Sequence, residues 1–337
     1  MKKSILFIVL FTLLVFQITG FSAGAADETL SPSPPERSKL LTWGQPSNLV
    51  DIGLGYLFSS SSTSWEISFW DQNGRSRSVL DFKRITGGIP IFFLDIHHPN
   101  SYATLSFQYG KGRGSNGEGT DSDYLSRRLE FRSQFDVSSE TSFWIADLQT
   151  SFSFISKPRL VLKPFLGWQH YEENLNLTNG RWLVIEGMED DTPINGLDSH
   201  YDFTWDALRV GIRGDLDLAN TRQPGISPLK LKTHLAFFPY MLYSGRGVWN
   251  LRDDLRQDPS FSHKADNFGL LGMDGAISLV SQPLKFLEIE GGVRLSYFFI
   301  QDGTDTTFFS NGAVGKADLD QTETLQVGLF IKLTGRF

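Results

Sequence analysis

In the run LQVGLFIKLTGRF, Leu325, Val327, Leu329, Ile331, Leu333 and Phe337 are apolar and Gly335 is small. Thr324, Gln326, Lys332, Thr334 and Arg336 fall on the alternate positions. A period of two over that length predicts a strand with one apolar and one polar face. Leu208, Val210, Ile212, Leu216 and Leu218 interleave in the same way with Arg209, Arg213, Asp215 and Asp217. So do Leu287, Ile289, Val293 and Leu295 with Glu288, Glu290 and Arg294. The polar faces carry charges of both signs. A soluble sandwich would turn those charges to water, whereas a narrow barrel in lipid would turn them inward to pair with one another.

Short proline-bearing connections at 97–101, 156–160, 220–228 and 281–284 alternate with polar, glycine- or acid-rich ones near 71–75, 110–127, 174–200, 245–262 and 302–320. Four short turns and five mostly longer loops predict ten antiparallel strands with both ends on the short-turn side, the arrangement of a transmembrane barrel. A lipid crossing uses about ten residues per strand, so several strands are expected to run on past the membrane. The fold class read here is all-β, a ten-stranded antiparallel transmembrane barrel whose strands extend above the outer membrane.

Lys2 and Lys3, the apolar run from Ile5 to Ile18 and the Ala23-Gly-Ala25 site read as a signal peptide over 1–25. A flexible lead-in over 26–47, with the Ser/Pro-rich LSPSPPERS, is expected to precede the barrel at 48–337. The aromatic content of 13% suits interfacial girdles, and a terminal phenylalanine resembles the assembly signal of bacterial outer-membrane barrels. The chain has no cysteine, which excludes a small cystine framework. It carries 31 lysines and arginines against 38 aspartates and glutamates. That acidic balance is a poor match to nucleic acid.

Gly112-Arg-Gly114-Ser-Asn-Gly117 matches G-x-G-x-x-G, but no helix follows to present its N-terminus to a phosphate. It is expected to be a flexible external loop. Just beyond it, GTDSDYL sets Asp121 and Asp123 on one wall of an extended chain. A solvated loop, a calcium site with Glu118 and a catalytic acid pair are the candidate readings. The last requires burial and mutual repulsion, so that one carboxyl keeps its proton near neutral pH.

NLVDIGLGYL (48–57), WDQNGRSRSVLDFK (70–83), GRGSNGEGTDSDYL (112–125), GWQHYEENLNLTNGRW (167–182) and YSGRGVWNLRDDLRQDP (243–259) together resemble, in order and spacing, the omptins. These are the ten-stranded outer-membrane endoproteases of Gram-negative bacteria. In that family an aspartate pair faces an aspartate–histidine dyad, and a water between them attacks the peptide bond. The resemblance implies Asp121 and Asp123 as the pair and Asp253 as the dyad aspartate. The dyad histidine position then falls on Leu255, or on Arg256 if the register shifts to Asp254. Neither leucine nor arginine can activate a water at neutral pH, so His263 becomes the candidate base. The acidic specificity pocket of the family maps to Asp71 or Gln72 and to the apolar Leu251.

Two functions follow as expectations. One is a cell-surface endopeptidase of aspartic type acting on a peptide or protein substrate. The other is a barrel that keeps the architecture without hydrolysis and binds or adheres through its rim; the absence of a histidine at position 255 favours loss or alteration of the chemistry. A diffusion channel is disfavoured, because inward charges and aromatics fill a ten-stranded interior. The resemblance also implies lipopolysaccharide as a partner, beside outer-membrane lipid; no cofactor is expected and no residue is assigned to a metal.

Overall fold

The computed structural model describes residues 42–43, 49–71, 74–98, 103–150, 152–153, 155–156, 160–218, 229–269 and 272–337. Contacts divide the chain into Met1–Lys39 and Leu40–Phe337. The first unit, and with it the expected signal peptide, lies outside the described residues. Of the expected lead-in, only the short strand Thr42–Trp43 is described, paired with Phe152–Ser153. The proline-bearing turns at 97–101, 156–160 and 220–228 also fall largely outside the described residues.

Ten antiparallel staves close into a ring. In chain order they are Val50–Asp71, Gly74–His98, Ala103–Leu125, Arg128–Thr150, Leu160–Ile185, Ser199–Asp217, Leu229–Val248, an eighth in two pieces (Phe261–Phe268 and Gly272–Leu284), Leu287–Phe308 and Val314–Arg336. The tenth stave pairs with the first from Asp51↔Arg336 to Ser68↔Asp318. Among the described staves, closure leaves no edge strand whose amide groups would face lipid unpaired.

The unbroken staves are 19 to 26 residues long, about twice what a tilted crossing needs. Large apolar side chains point outward near the short-turn end, among them Leu54, Phe58, Leu148, Leu166, Val210, Leu279, Val293 and Leu329. Beyond that band the outward positions become polar, as at Lys111, Arg113 and Ser115 on the third stave. The apolar band meets the membrane, and the rest of the barrel stands outside it.

The expected glycine loop at 110–127 is corrected: the third stave runs through it to Leu125. Its glycines make room for inward-facing rings. A Cβ on Gly119 would lie 2.0 Å from the Phe135 ring, and one on Gly110 would lie 2.7 Å from Phe143. The motif holds a bulge between Gly114 and Gly117, where Asn116 takes a φ of 57°, a conformation asparagine tolerates. The outer connection is only Ser126–Arg127, both at positive φ, which matches the twist of the flanking strands. The loops expected over 174–200, 245–262 and 302–320 shorten likewise to 186–198, 249–260 and 309–313. At the short-turn end, SQPL closes an irregular strand end and the turn itself is Lys285–Phe286.

The lumen is filled in layers. In its outer half Trp65, Phe82, Tyr201, Phe203, Trp205, Tyr243 and Phe298 are buried against one another. At membrane level Asp274 accepts hydrogen bonds from Arg209 (2.9 Å), Arg294 (3.0 Å) and Ser296 (2.6 Å), and lies 2.7 Å from His234 Nε2. Asp147 accepts from Arg213 at 2.8 Å, and Arg209 donates to Gln169 at 3.0 Å. The charges of both signs on the sixth and ninth staves therefore pair inside the barrel, as the alternation predicts.

Removing one partner from a buried charge network strands the others. Asp274→Ala is expected to lower stability by about 3–5 kcal/mol, read from urea unfolding in lipid vesicles; a loss below about 1 kcal/mol would mean that the network does not hold the lumen. On the lipid face, Leu329→Arg should cost about 2–4 kcal/mol in the same assay, whereas Ser115→Arg above the band should be nearly neutral.

Candidate functional site

Asp121 and Asp123 face the lumen near the outer end of the third stave. Asp121 stands in register with Leu80 and Ser133, and Asp123 with Ser78 and Phe131. Strand alternation puts both carboxyls on the inner wall. The Ser78 hydroxyl donates to Asp121 Oδ1 at 3.4 Å. Although Asp121 keeps some exposed surface, its carboxyl is enclosed by protein. Burial, then the neighbouring Asp123, push it well above the usual carboxylate range, against the opposing pull of Ser78 and Arg252. Burial raises Asp123 as well, countered by Ser78 and Arg252. The pair has the electrostatics of two acids that resist simultaneous ionisation.

Aromatic rings lie next to the pair. Tyr201 packs on Trp65 at 4.9 Å, Phe82 at 5.8 Å, Phe261 at 4.8 Å and Trp249 at 5.8 Å between ring centres. Burial holds its phenol well above the ordinary tyrosine range, with Asp121 and Asp305 adding to the effect. Tyr201 thus stands between the acid pair and a second group of polar side chains. In that group His263 Nε2 and Asp305 Oδ1 are 3.1 Å apart, on cross-strand partners of the eighth and ninth staves. The contact lacks hydrogen-bond geometry, and both atoms are buried without a hydrogen-bond partner. His263 is 1% exposed, with Phe261 at 5.2 Å, Trp65 at 5.7 Å and Tyr243 at 6.5 Å around its ring.

The loop 249–260 is folded down on its own contacts. Arg252 donates twice to Asp254, each time at 2.8 Å, and Asp254 is held below its usual range by that guanidinium. Leu255 is buried and bridges Phe309, while Arg256 N donates to Phe308 O at 2.8 Å. The position where the omptin resemblance puts a histidine is therefore an apolar anchor of the loop. Asp253 is exposed on that loop, and its neighbour Arg252 supplies the charge felt by the acid pair. The Asp71 side chain and Gln72 lie outside the described residues, and Leu251 is exposed. Among the described residues no cluster of His, Asp and Glu suits a metal ion.

Of the expected site residues, Asp121 and Asp123 come together. His263 is brought into the lumen by its own strand, with no loop rearrangement, and its partner is Asp305 rather than Asp253. Sequence reading missed Asp305, Tyr201 and Arg252. Asp305 lay in a stretch read as loop; pairing the strand SHKAD with DGTDTT would have set it opposite His263.

A closed ring of ten staves with an outward apolar band and a filled, ion-paired lumen defines a β-barrel protein of the bacterial outer membrane. The model of the Pom family, Protochlamydia outer membrane protein, matches residues 94–313, more than half of the chain, and the chain belongs to that family. Among solved structures the barrel is similar to the outer membrane protease OmpT from Escherichia coli, with a TM-score of 0.71 and 10% identity over 88% of this chain and 99% of that one. At that identity the likeness is one of fold. The translocator domain of the autotransporter NalP from Neisseria meningitidis, at a TM-score of 0.37 and 10% identity over 88% of this chain and 91% of that one, is too loose a match to bear on the architecture. No curated protein matches the sequence.

The raised carboxyl gives a pH prediction. A buried acid whose pKa is higher folded than unfolded leaves stability untouched below the unfolded value, about 4. It then lowers stability progressively as pH rises from there to the folded value, and no further above it. Asp121→Asn removes that penalty, so its stability relative to wild type should climb from near zero below about pH 4 to a gain at neutral pH. A difference that stays flat across that range would show that Asp121 ionises normally.

Proposed function

We propose that this chain is an omptin-like outer-membrane barrel that binds at the cell surface through its rim and does not hydrolyse peptides. The observation that carries this reading is the sealing of the groups hydrolysis would need. A general base must come within hydrogen-bond reach, or one water, of the proton it takes, and His263 is enclosed by Trp65, Phe261 and Tyr243. The expected dyad position is Leu255, committed to packing. The acid pair is already faced by a cation of its own chain, Arg252.

The partner at the rim is of basic character. The third outer connection carries Glu186, Glu189, Asp190, Asp191 and Asp198 and no lysine or arginine. On the outer wall, Lys111 and Arg113 follow Tyr109 on the same face, just above the apolar band. That placement supports contact with the phosphates of lipopolysaccharide and outer-membrane lipid.

Two features favour an endopeptidase reading, the raised Asp121 and the His263–Asp305 contact. In it Asp121 and Asp123 hold the water and His263 is the base, once the aromatic layer has parted. A mixed peptide library incubated with the refolded barrel and lipopolysaccharide separates the two. No cleavage above that of an Asp121→Ala/Asp123→Ala variant is expected, and an arginine-rich peptide should bind more tightly than an acidic one of equal length. Cleavage lost in that variant and in His263→Ala would replace the binding reading with a protease.

A further inference from the structure

At the short-turn end, below the Asp147–Asp274 network, the lumen opens into a cavity of about 460 Å³. Its position identifies its mouth: Asp51, His97, Ala103, Lys230 and Arg336 line it and sit at strand ends beside the short turns, the periplasmic side of such a barrel. One wall places Lys163, Arg213 and His234 in a single cross-strand row over the fifth, sixth and seventh staves. Lys163 and Arg213, directly opposite one another in that row, are like charges, which is unfavourable, so something must answer them.

The neighbours of Lys163 are answered elsewhere. Arg213 turns to Asp147 at 2.8 Å and Gln149 at 3.0 Å, and His234 meets Asp274 at 2.7 Å. Asp215, on the same wall, stands in register with Lys232, which itself pairs with Glu288. The carboxylates Asp51 and Asp95 lie across the cavity, on the first and second staves, with His97 3.2 Å from Asp51. Among the described residues Lys163 has no ion pair. Its side chain is half-buried and lines the cavity.

We propose that this cavity binds a small oxyanion, a dicarboxylate or a phosphate, from the periplasmic side, with Lys163 as its principal donor and Arg213 and Lys232 beside it. The inference is independent of the rim and its acid pair. A volume of 460 Å³ lies within the range of small-molecule sites, and the ion-paired layer above makes the site a blind chamber rather than a passage.

The test is calorimetric titration of the refolded full-length barrel with succinate, inorganic phosphate and, as a cationic control, putrescine. Saturable binding of at least one of the two anions is expected, with none of putrescine. Lys163→Met should weaken it at least tenfold, Lys163→Arg should restore most of it, and Lys111→Met on the outer wall should leave it unchanged. Succinate alone would assign the site to dicarboxylates, and phosphate alone to phosphate. On the wild-type barrel, the bound anion should also slow acetylation of Lys163 relative to Lys111, a readout that does not depend on a variant folding. Neither anion binding at millimolar concentration, binding unaltered by Lys163→Met, or equal labelling of Lys163 with and without anion would overturn the proposal.

Discussion

Closure of the hydrogen-bonded ring is the constraint on which everything else rests. Once the tenth stave pairs with the first, each residue points either to the outside or into a narrow lumen that side chains largely fill. The outward set has only to match lipid below and water above. The inward set has to satisfy itself. Aromatic packing around Trp65, Tyr201 and Phe298 does this in the outer half, and the carboxylates Asp147 and Asp274 with their arginines do it at membrane level.

That constraint also explains the state of the candidate site. Inward-facing acids are tolerable near the outer mouth, where Asp121 and Asp123 gain Ser78 and the field of Arg252. A histidine on the opposite wall is tolerable only if enclosed and matched, and His263 has rings around it and Asp305 beside it. The same filling that stabilises the barrel keeps the two groups apart. Architecture shared with OmpT is by itself no warrant for shared chemistry.

Strand periodicity was legible because lipid and lumen impose opposite demands on successive residues, as Leu329 and Gln326 or Leu287 and Glu288 show. The acid pair was legible because its spacing matches that same period. The glycine-rich stretch misled for a physical reason: glycine density usually marks a flexible turn, whereas here Gly110 and Gly119 yield space to Phe143 and Phe135 across the strand. The partnership of His263 with Asp305 depends on register between two strands far apart in sequence, which local pattern does not reveal.

The charged layer across the lumen works like the septum in a jar with two compartments. Side chains above it answer to what the cell meets outside, and those below it answer to the periplasm. With Arg209 and Asp274 holding the partition, a change of charge or volume at one end need not be felt at the other.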